Sequence, residues 1–239
     1  MAAAQRLVNS ATRVVCFSGA GLSAESGVPT FRDAQADGGA LWAKFDPMML
    51  ASPRGFERDP EAVVEWYNWR RRAVAEARPN AAHRALAAAR SIVNVTQNVD
   101  DLLERAGAVD VIHLHGSIAV DHCEHRCGCV EAIDLKNPLP LRPCPNCGPR
   151  GRMRPGVVWF GESLPDDAWM AAEYACRSSD VLLGVGTSAV VYPAAGLIGL
   201  ARTSGARIIV INTQSSDASA LADVELIGPA GEIMPGLLS

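Results

Sequence analysis

Uninterrupted apolar runs of membrane-spanning length are missing from this 239-residue sequence, as are internal repeats, low-complexity tracts and any surplus of basic charge. Without roughly 18 consecutive apolar residues no transmembrane helix is expected, and no membrane partner. The first residues, MAAAQRLVNSATRVV, are too short and too interrupted for a secretory h-region with its cleavage site, so a cytoplasmic protein is expected. A formal net charge of -4 argues against a dedicated nucleic-acid binder, and no direct nucleic-acid contact is expected. A monomer is expected. In a reducing compartment seven cysteines do not make a disulfide framework. Five of them crowd between Cys123 and Cys147, the pattern of a metal site, while Cys16 and Cys176 read as small core residues.

What is present is an alternation of short apolar runs with helical patterns. Strands are expected over Arg13 to Phe17, Ile92 to Thr96, Val111 to Leu114, Val157 to Phe160, Val181 to Val185 and Arg207 to Ile211. Most lack the apolar/polar alternation of a half-exposed strand, as a parallel sheet covered on both faces requires. Helical patterns lie between them: Asp59 to Arg78, Ala81 to Arg90, Asp100 to Arg105, Asp166 to Arg177 and Pro193 to Thr203. The layout predicts an α/β fold: a Rossmann-like, doubly wound, mostly parallel sheet with a small inserted zinc-binding module. Residues 119–156, rich in Cys, Pro, Gly and Arg, form that module, and 1–118 with 157–239 form the core.

The first strand runs into Gly19, Gly21 and Ala24, which fit the spacing G-x-G-x-x-G/A of a turn that lets backbone N–H groups approach a pyrophosphate at a helix N-terminus. The usual partner, a second strand ending in Asp or Glu, is missing, so a plain nicotinamide dehydrogenase fits poorly and a dinucleotide site of other geometry fits better. Phe31 and Arg32, just beyond, are placed to cover the ligand. At other strand ends stand Gln97, Asn98 and Asp100 of TQNVDD, and His113 and His115 of VIHLHG. Polar residues at several strand ends suggest a site assembled around one molecule. Cys144 and Cys147 form a C-x-x-C knuckle for tetrahedral Zn²⁺, and the second pair is to be found among Cys123, Cys127 and Cys129, with His122 and His125 outside candidates. Four thiolates would close the shell and make the metal structural.

WYNWRR, residues 66–71, raises a separate question. Asp59-Pro60 reads as N-cap and N1 of a helix in which Val63, Tyr67, Arg70 and Val74 share a face. A guanidinium on an inward face needs an anion, from a carboxylate or a ligand. Trp66 and Trp69 read as core, and Arg71 and Arg72, further round, as solvated or snorkelling.

GAGLSAESGVPTFR (19–32), TQNVDDLLERAG (96–107), HLHGS (113–117), the paired cysteines, VVWFGESLP (157–165), GVGTSAVVYPAA (184–195) and INTQ (211–214) together resemble a sirtuin, an NAD-dependent protein lysine deacylase. The resemblance implies that NAD is consumed as a co-substrate and that acylated lysine proteins or peptides are the partners. By it, Gly19, Ala20 and Gly21 hold the pyrophosphate, Phe31 and Arg32 close over the ligand, and Gln97, Asn98 and Asp100 line the nicotinamide and ribose region. Gly186, Thr187, Ser188 and Asn212 would hold the adenosine half, and His115 would be the general base, a role suited to a near-neutral imidazole. Products would be free lysine, nicotinamide and an O-acyl-ADP-ribose. Val157, Val158, Trp159, Phe160, Gly161 and Glu162 would form the substrate channel, with backbone pairing to an extended peptide.

The desuccinylase-like branch of that family carries Tyr and Arg three apart, matched here by Tyr67 and Arg70, and a small residue matched by Ala51. The resemblance therefore implies a preference for succinyl, malonyl or glutaryl over acetyl, read by a helical insert spanning 34–80. Charge-assisted bonds are worth about 1.5 to 3 kcal/mol, on the order of ten- to a hundred-fold in preference. Upstream cysteines in the family are spaced C-x-x-C, whereas here Arg126 fills the second place. Cys123 and Cys127 are the expected pair with Cys129 as rival. Mono-ADP-ribosyl transfer, plain deacetylation and a non-enzymatic zinc-ribbon adaptor remain as alternatives.

Overall fold

The computed structural model describes residues 1–28 and 46–239. Helix α1 (Ala2–Ser10) precedes strand β1 (Val14–Ser18), whose five residues are all buried. β1 is the middle of a six-stranded sheet with β2 (Ile92–Thr96), β3 (Ile112–His113), β8 (Val181–Val185), β9 (Arg207–Asn212) and β10 (Val224–Ile227), in the order β10-β9-β8-β1-β2-β3. Every pairing in it is parallel, with Val14 opposite both Ile92 and Val181. The chain winds outward from β1 in both directions, which leaves a crevice at the carboxyl ends of β1 and β8 where the direction reverses. One core cluster packs each face: Leu22, Leu86, Leu103 and Met234 on one side, Leu114, Cys176, Leu197 and Ile198 on the other. Burial from both sides explains the unbroken apolar runs.

Between β1 and β2 the described chain forms α2 (Gly21–Ala24), α3 (Pro47–Leu50), α4 (Pro53–Arg58), α5 (Pro60–Glu76) and α6 (Ala81–Ala88). Asp59 caps α5 by accepting from Ala62 N at 3.0 Å, and Pro60 fills the first turn, where no N–H is required. After β3 the chain leaves the main sheet for a second one of order β5-β4-β7-β6, built from β4 (Gly116–Cys123), β5 (Val130–Ala132), β6 (Pro143–Cys144) and β7 (Gly148–Val157), all antiparallel. The expected strand at Val157 to Phe160 is therefore not a separate element. Its first residue closes β7, and the rest is irregular backbone passing Ala51 and His115. α7 (Leu102–Arg105) lies between β2 and β3, and the carboxyl-terminal half adds α8 (Asp166–Arg177), α9 (Gly196–Thr203) and α10 (Ala230–Leu237). No helix among the described residues is long and apolar enough to cross a membrane.

Candidate functional site

The end of β1 and the end of β8 meet backbone to backbone. Gly19 N donates to Val185 O at 3.0 Å and Gly21 N to Gly186 O at 2.9 Å. A Cβ on Gly21 would lie 2.7 Å from Gly186 Cα, and Gly186 itself stands at φ +59°, so a side chain at either place would push the two turns apart. These glycines therefore serve the contact between turns, and their N–H groups are already used. Ala20, between them, is exposed at the crevice. Across the crevice Gln97 Nε2 donates to Thr187 Oγ1 at 2.9 Å, and Asn212 Nδ2 to Thr187 O at 3.1 Å. The carboxyl ends of β2, β8 and β9 thus share one buried threonine, with half-buried Ser188 next to it. Phe31 and Arg32 lie outside the described residues.

Asn98 and Asp100 meet at a residue the sequence did not single out. Ser23 Oγ donates to Asp100 Oδ2 at 2.9 Å, accepts from Asn98 Nδ2 at 3.1 Å and lies 3.4 Å from His83 Nε2. Asp100 Oδ1 also takes Leu102 N, the first N–H of α7, at 3.2 Å. His83 is fully buried. Its Nδ1 accepts from Asn80 N at 3.3 Å, which leaves the proton on Nε2, facing Ser23. Burial pushes the His83 pKa down to about 4, so the ring is neutral. The available signal was its position three residues after Asn80, the spacing of a capping box.

The two histidines of the HLH motif divide their roles by what they face. His113 Nδ1 lies 3.0 Å from Asn98 O and its Nε2 2.6 Å from Glu104 Oε1. Both are acceptors, so both ring nitrogens want hydrogen. Burial opposes the charge on His113, but the Glu104 carboxylate outweighs it and the pKa is raised. His115 Nδ1 lies 2.9 Å from Gln97 O, which can only accept, so Nδ1 carries the proton and Nε2 keeps its lone pair. Burial lowers the His115 pKa, partly opposed by that carbonyl bond, and no carboxylate restores it. His115 is therefore neutral at neutral pH, and His113, paired with Glu104, holds its protons more tightly.

Ala51, Tyr67, Val157 and Trp159 share one core cluster between α5 and the second sheet. Ala51 O accepts from Phe160 N at 2.9 Å, and His115 O from Val158 N at 2.9 Å, so the 157–162 segment is pinned at both sides of the base. Trp159 Nε1 donates to Tyr67 Oη at 3.0 Å. The Arg70 guanidinium lies 5.0 Å from the Trp66 ring centroid and 5.6 Å from that of Tyr67. Burial lowers the Arg70 pKa, against the pull of the Tyr67 phenol and the Asp100 carboxylate. Glu162 is committed elsewhere, taking Arg154 Nη1 at 2.7 Å, Arg154 Nη2 at 2.9 Å and Trp159 N at 2.9 Å. Phe160 and Gly161 are exposed. Trp66 is core and Arg72 exposed, as expected, but Arg71 is fully buried. It donates to Asp121 Oδ1 at 2.6 Å, to Ile118 O and to Asn68 Oδ1, fastening α5 to β4.

In the second sheet the sulfurs of Cys123, Cys127, Cys144 and Cys147 all lie within 4.8 Å of one another. Cys123 and Cys147 sulfurs are 3.8 Å apart, Cys127 and Cys144 sulfurs 3.6 Å. Tetrahedral Zn²⁺ with Zn–S near 2.3 Å requires edges of about 3.8 Å, so the set fits a closed, structural zinc. Cys129 packs against the group but contributes no sulfur to it. The additional residue between Cys123 and Cys127 is absorbed at Arg126, which turns back at φ +50° with its N–H on Cys123 O.

A doubly wound parallel sheet, a crevice ringed by Thr187, Gln97 and Asn212, a neutral histidine at its rim and a four-cysteine sheet beside it define a dinucleotide-binding α/β protein with a structural zinc module. The Sir2 family model matches residues 19–193. The chain belongs to the Sir2 family. It is 48% identical over 249 residues to an NAD-dependent protein deacylase 1 of Pseudomonas aeruginosa, covering all of this chain and 98% of that one. It is 47% identical over 238 residues to an NAD-dependent protein deacylase of Mycobacterium tuberculosis, covering 95% and 96%. A solved Sir2 homologue in complex with NAD superposes with a TM-score of 0.92 at 42% identity, over 100% of this chain and 92% of that one. A Sir2 protein bound to acetylated peptide superposes at 0.80 with 26% identity, over 98% and 94%.

Proposed function

We propose that this chain removes acyl groups from protein lysines at the expense of NAD, and that its acyl pocket favours chains ending in a carboxylate. Deacylase relatives of nearly full-length coverage support the first part. When bound, NAD supplies an electrophilic ribose carbon whose bond to nicotinamide breaks. Ala20, Gln97, Thr187, Ser188 and Asn212 ring the crevice that would hold it, and the Ser23 hydroxyl fixes Asn98 and Asp100 toward the same end. His115 Nε2, with its partner nitrogen anchored on Gln97 O, draws a proton from a ribose hydroxyl. The pinned backbone of 157–160 lies beside it as an edge for an extended peptide. Cys123, Cys127, Cys144 and Cys147 hold zinc away from the reacting atoms.

The observation that carries the acyl preference is Arg70. It is half-buried on the face of α5 it shares with Tyr67, and among the described residues no salt bridge to a carboxylate neutralises it. A planar guanidinium can take both oxygens of a terminal carboxylate, and small Ala51 leaves room for the chain that carries it. The test is kcat/KM on matched succinyl and acetyl peptides at saturating NAD for the wild type and Arg70→Met. Methionine keeps a long stem and removes the charge. The succinyl value should fall on the order of ten- to a hundred-fold, with acetyl within a few-fold. A uniform loss would make Arg70 a residue of the fold or the cofactor site, and a wild type that prefers acetyl would leave plain deacetylation.

A further inference from the structure

The hydrogen bond between Trp159 and Tyr67 links two elements far apart in sequence, and its direction is fixed by chemistry. An indole N–H can only donate, so Tyr67 Oη must accept at 3.0 Å. Guanidinium groups also only donate, so Arg70 offers the phenol no acceptor. The Tyr67 O–H therefore has to look elsewhere, and among the described residues it donates to none. Burial raises the Tyr67 pKa, so the phenol keeps that proton. Trp159 is in turn held on three sides. Arg154 Cζ lies 3.3 Å from its ring centroid, Phe56 packs at 5.3 Å, and its backbone N–H is on Glu162. Arg154 cannot swing away, since its two amino groups hold Glu162 and Val157 O. The indole and the phenol are each 2% exposed or less, so water does not compete for this bond.

We infer that Trp159 is a positioning residue for acyl selectivity: its indole N–H occupies the acceptor side of the Tyr67 hydroxyl and so turns that hydroxyl into a donor toward an anionic acyl end beside Arg70. The inference rests on the acidic-acyl reading above. Without that partner the phenol proton is not held in one direction before the acyl group arrives, and a carboxylate must first turn it inward. With Trp159 donating on one side, and the Arg70 guanidinium able only to donate on another, the proton is turned toward the acyl end in advance. Acetyl-lysine, which has no oxygen beyond its amide, makes no use of the arrangement.

The test is a cycle of Trp159→Phe, Tyr67→Phe and the double variant, with KM and kcat measured on succinyl and acetyl peptides. Trp159→Phe keeps an aromatic ring over Arg154 and removes the donor together with part of the indole's volume, a loss that both peptides share. The expected result is a five- to twenty-fold fall in the succinyl-to-acetyl ratio of kcat/KM, carried by KM for the succinyl peptide, on top of whatever loss the two peptides share. In the Tyr67→Phe background the same change should alter the succinyl-to-acetyl ratio by less than two-fold, because the hydroxyl it orients is gone. Equal losses on both peptides, or an undiminished effect in the Tyr67→Phe background, would make Trp159 a packing residue and overturn the inference while the wild-type succinyl preference stood. A wild type without that preference would remove the acidic-acyl reading and this inference together.

Discussion

His113 and His115 are two residues apart and chemically opposite, and the difference comes from one atom each. Glu104 Oε1 at 2.6 Å holds a proton on His113 Nε2, while His115 Nε2 meets no carboxylate among the described residues. A base works in its neutral form, so activity should be full above the His115 pKa and fall as pH drops through it. Because burial lowers that pKa below 6.5, the acid limb of kcat/KM should have its midpoint under 6.5. His115→Ala should cost acyl removal about a hundred-fold or more, and His113→Gln far less. A pH–rate profile of the wild type with the two variants decides it: an acid limb centred above 6.5, or equal losses in both variants, would assign the base elsewhere.

At the scale of elements, α5 works as a strut between the core and the second sheet. Its inner face carries Tyr67 and Arg70, the residues proposed to read the acyl group, and Arg71, one residue on, reaches β4 through Asp121, which Arg142 also holds at 2.6 Å. Arg71 is fully buried and the Asp121 side chain is 3% exposed, so removing the shared anion leaves a buried cation uncompensated. Asp121→Asn, nearly isosteric, should lower unfolding free energy by about 3 kcal/mol or more, read from the denaturant midpoint. A change under about 1 kcal/mol would mean that carbonyl bonds alone satisfy Arg71. Much of this level was legible in the sequence. Ile92–Thr96, Val181–Val185 and Asp166–Arg177 stand where periodicity and caps put them, because parallel strands buried on both faces leave uninterrupted apolar runs. β10 escaped notice since VELI is a short, half-exposed edge strand. The β7 strand, GPRGRMRPGV, hides behind arginines and glycines that a metal-stapled sheet tolerates. Ser23, the burial of His83 and the pairing of Arg71 with Asp121 were not legible, because each depends on partners 50 or more residues away.

The whole molecule joins a parallel sheet with the dinucleotide crevice to an antiparallel sheet whose four cysteines fit a structural zinc. Outside the cluster of Cys123, Cys144 and Met153, the large buried apolar residues of the second sheet are Ile118 and Val157, so four thiolates on zinc would supply much of its folding free energy. Cys127→Ser should lose zinc and thermal stability, and Cys129→Ser should keep both. The reverse pattern in metal analysis and melting would overturn the ligand set. Dinucleotide crevice, neutral His115 and acyl pocket are proposed to act as one deacylating site, and the most direct test is nicotinamide release from NAD with a succinyl-lysine peptide against the same peptide unmodified. Release should be fast only with the acylated peptide and match free lysine formed mole for mole. Equal release with both peptides, or acyl removal without NAD, would contradict it.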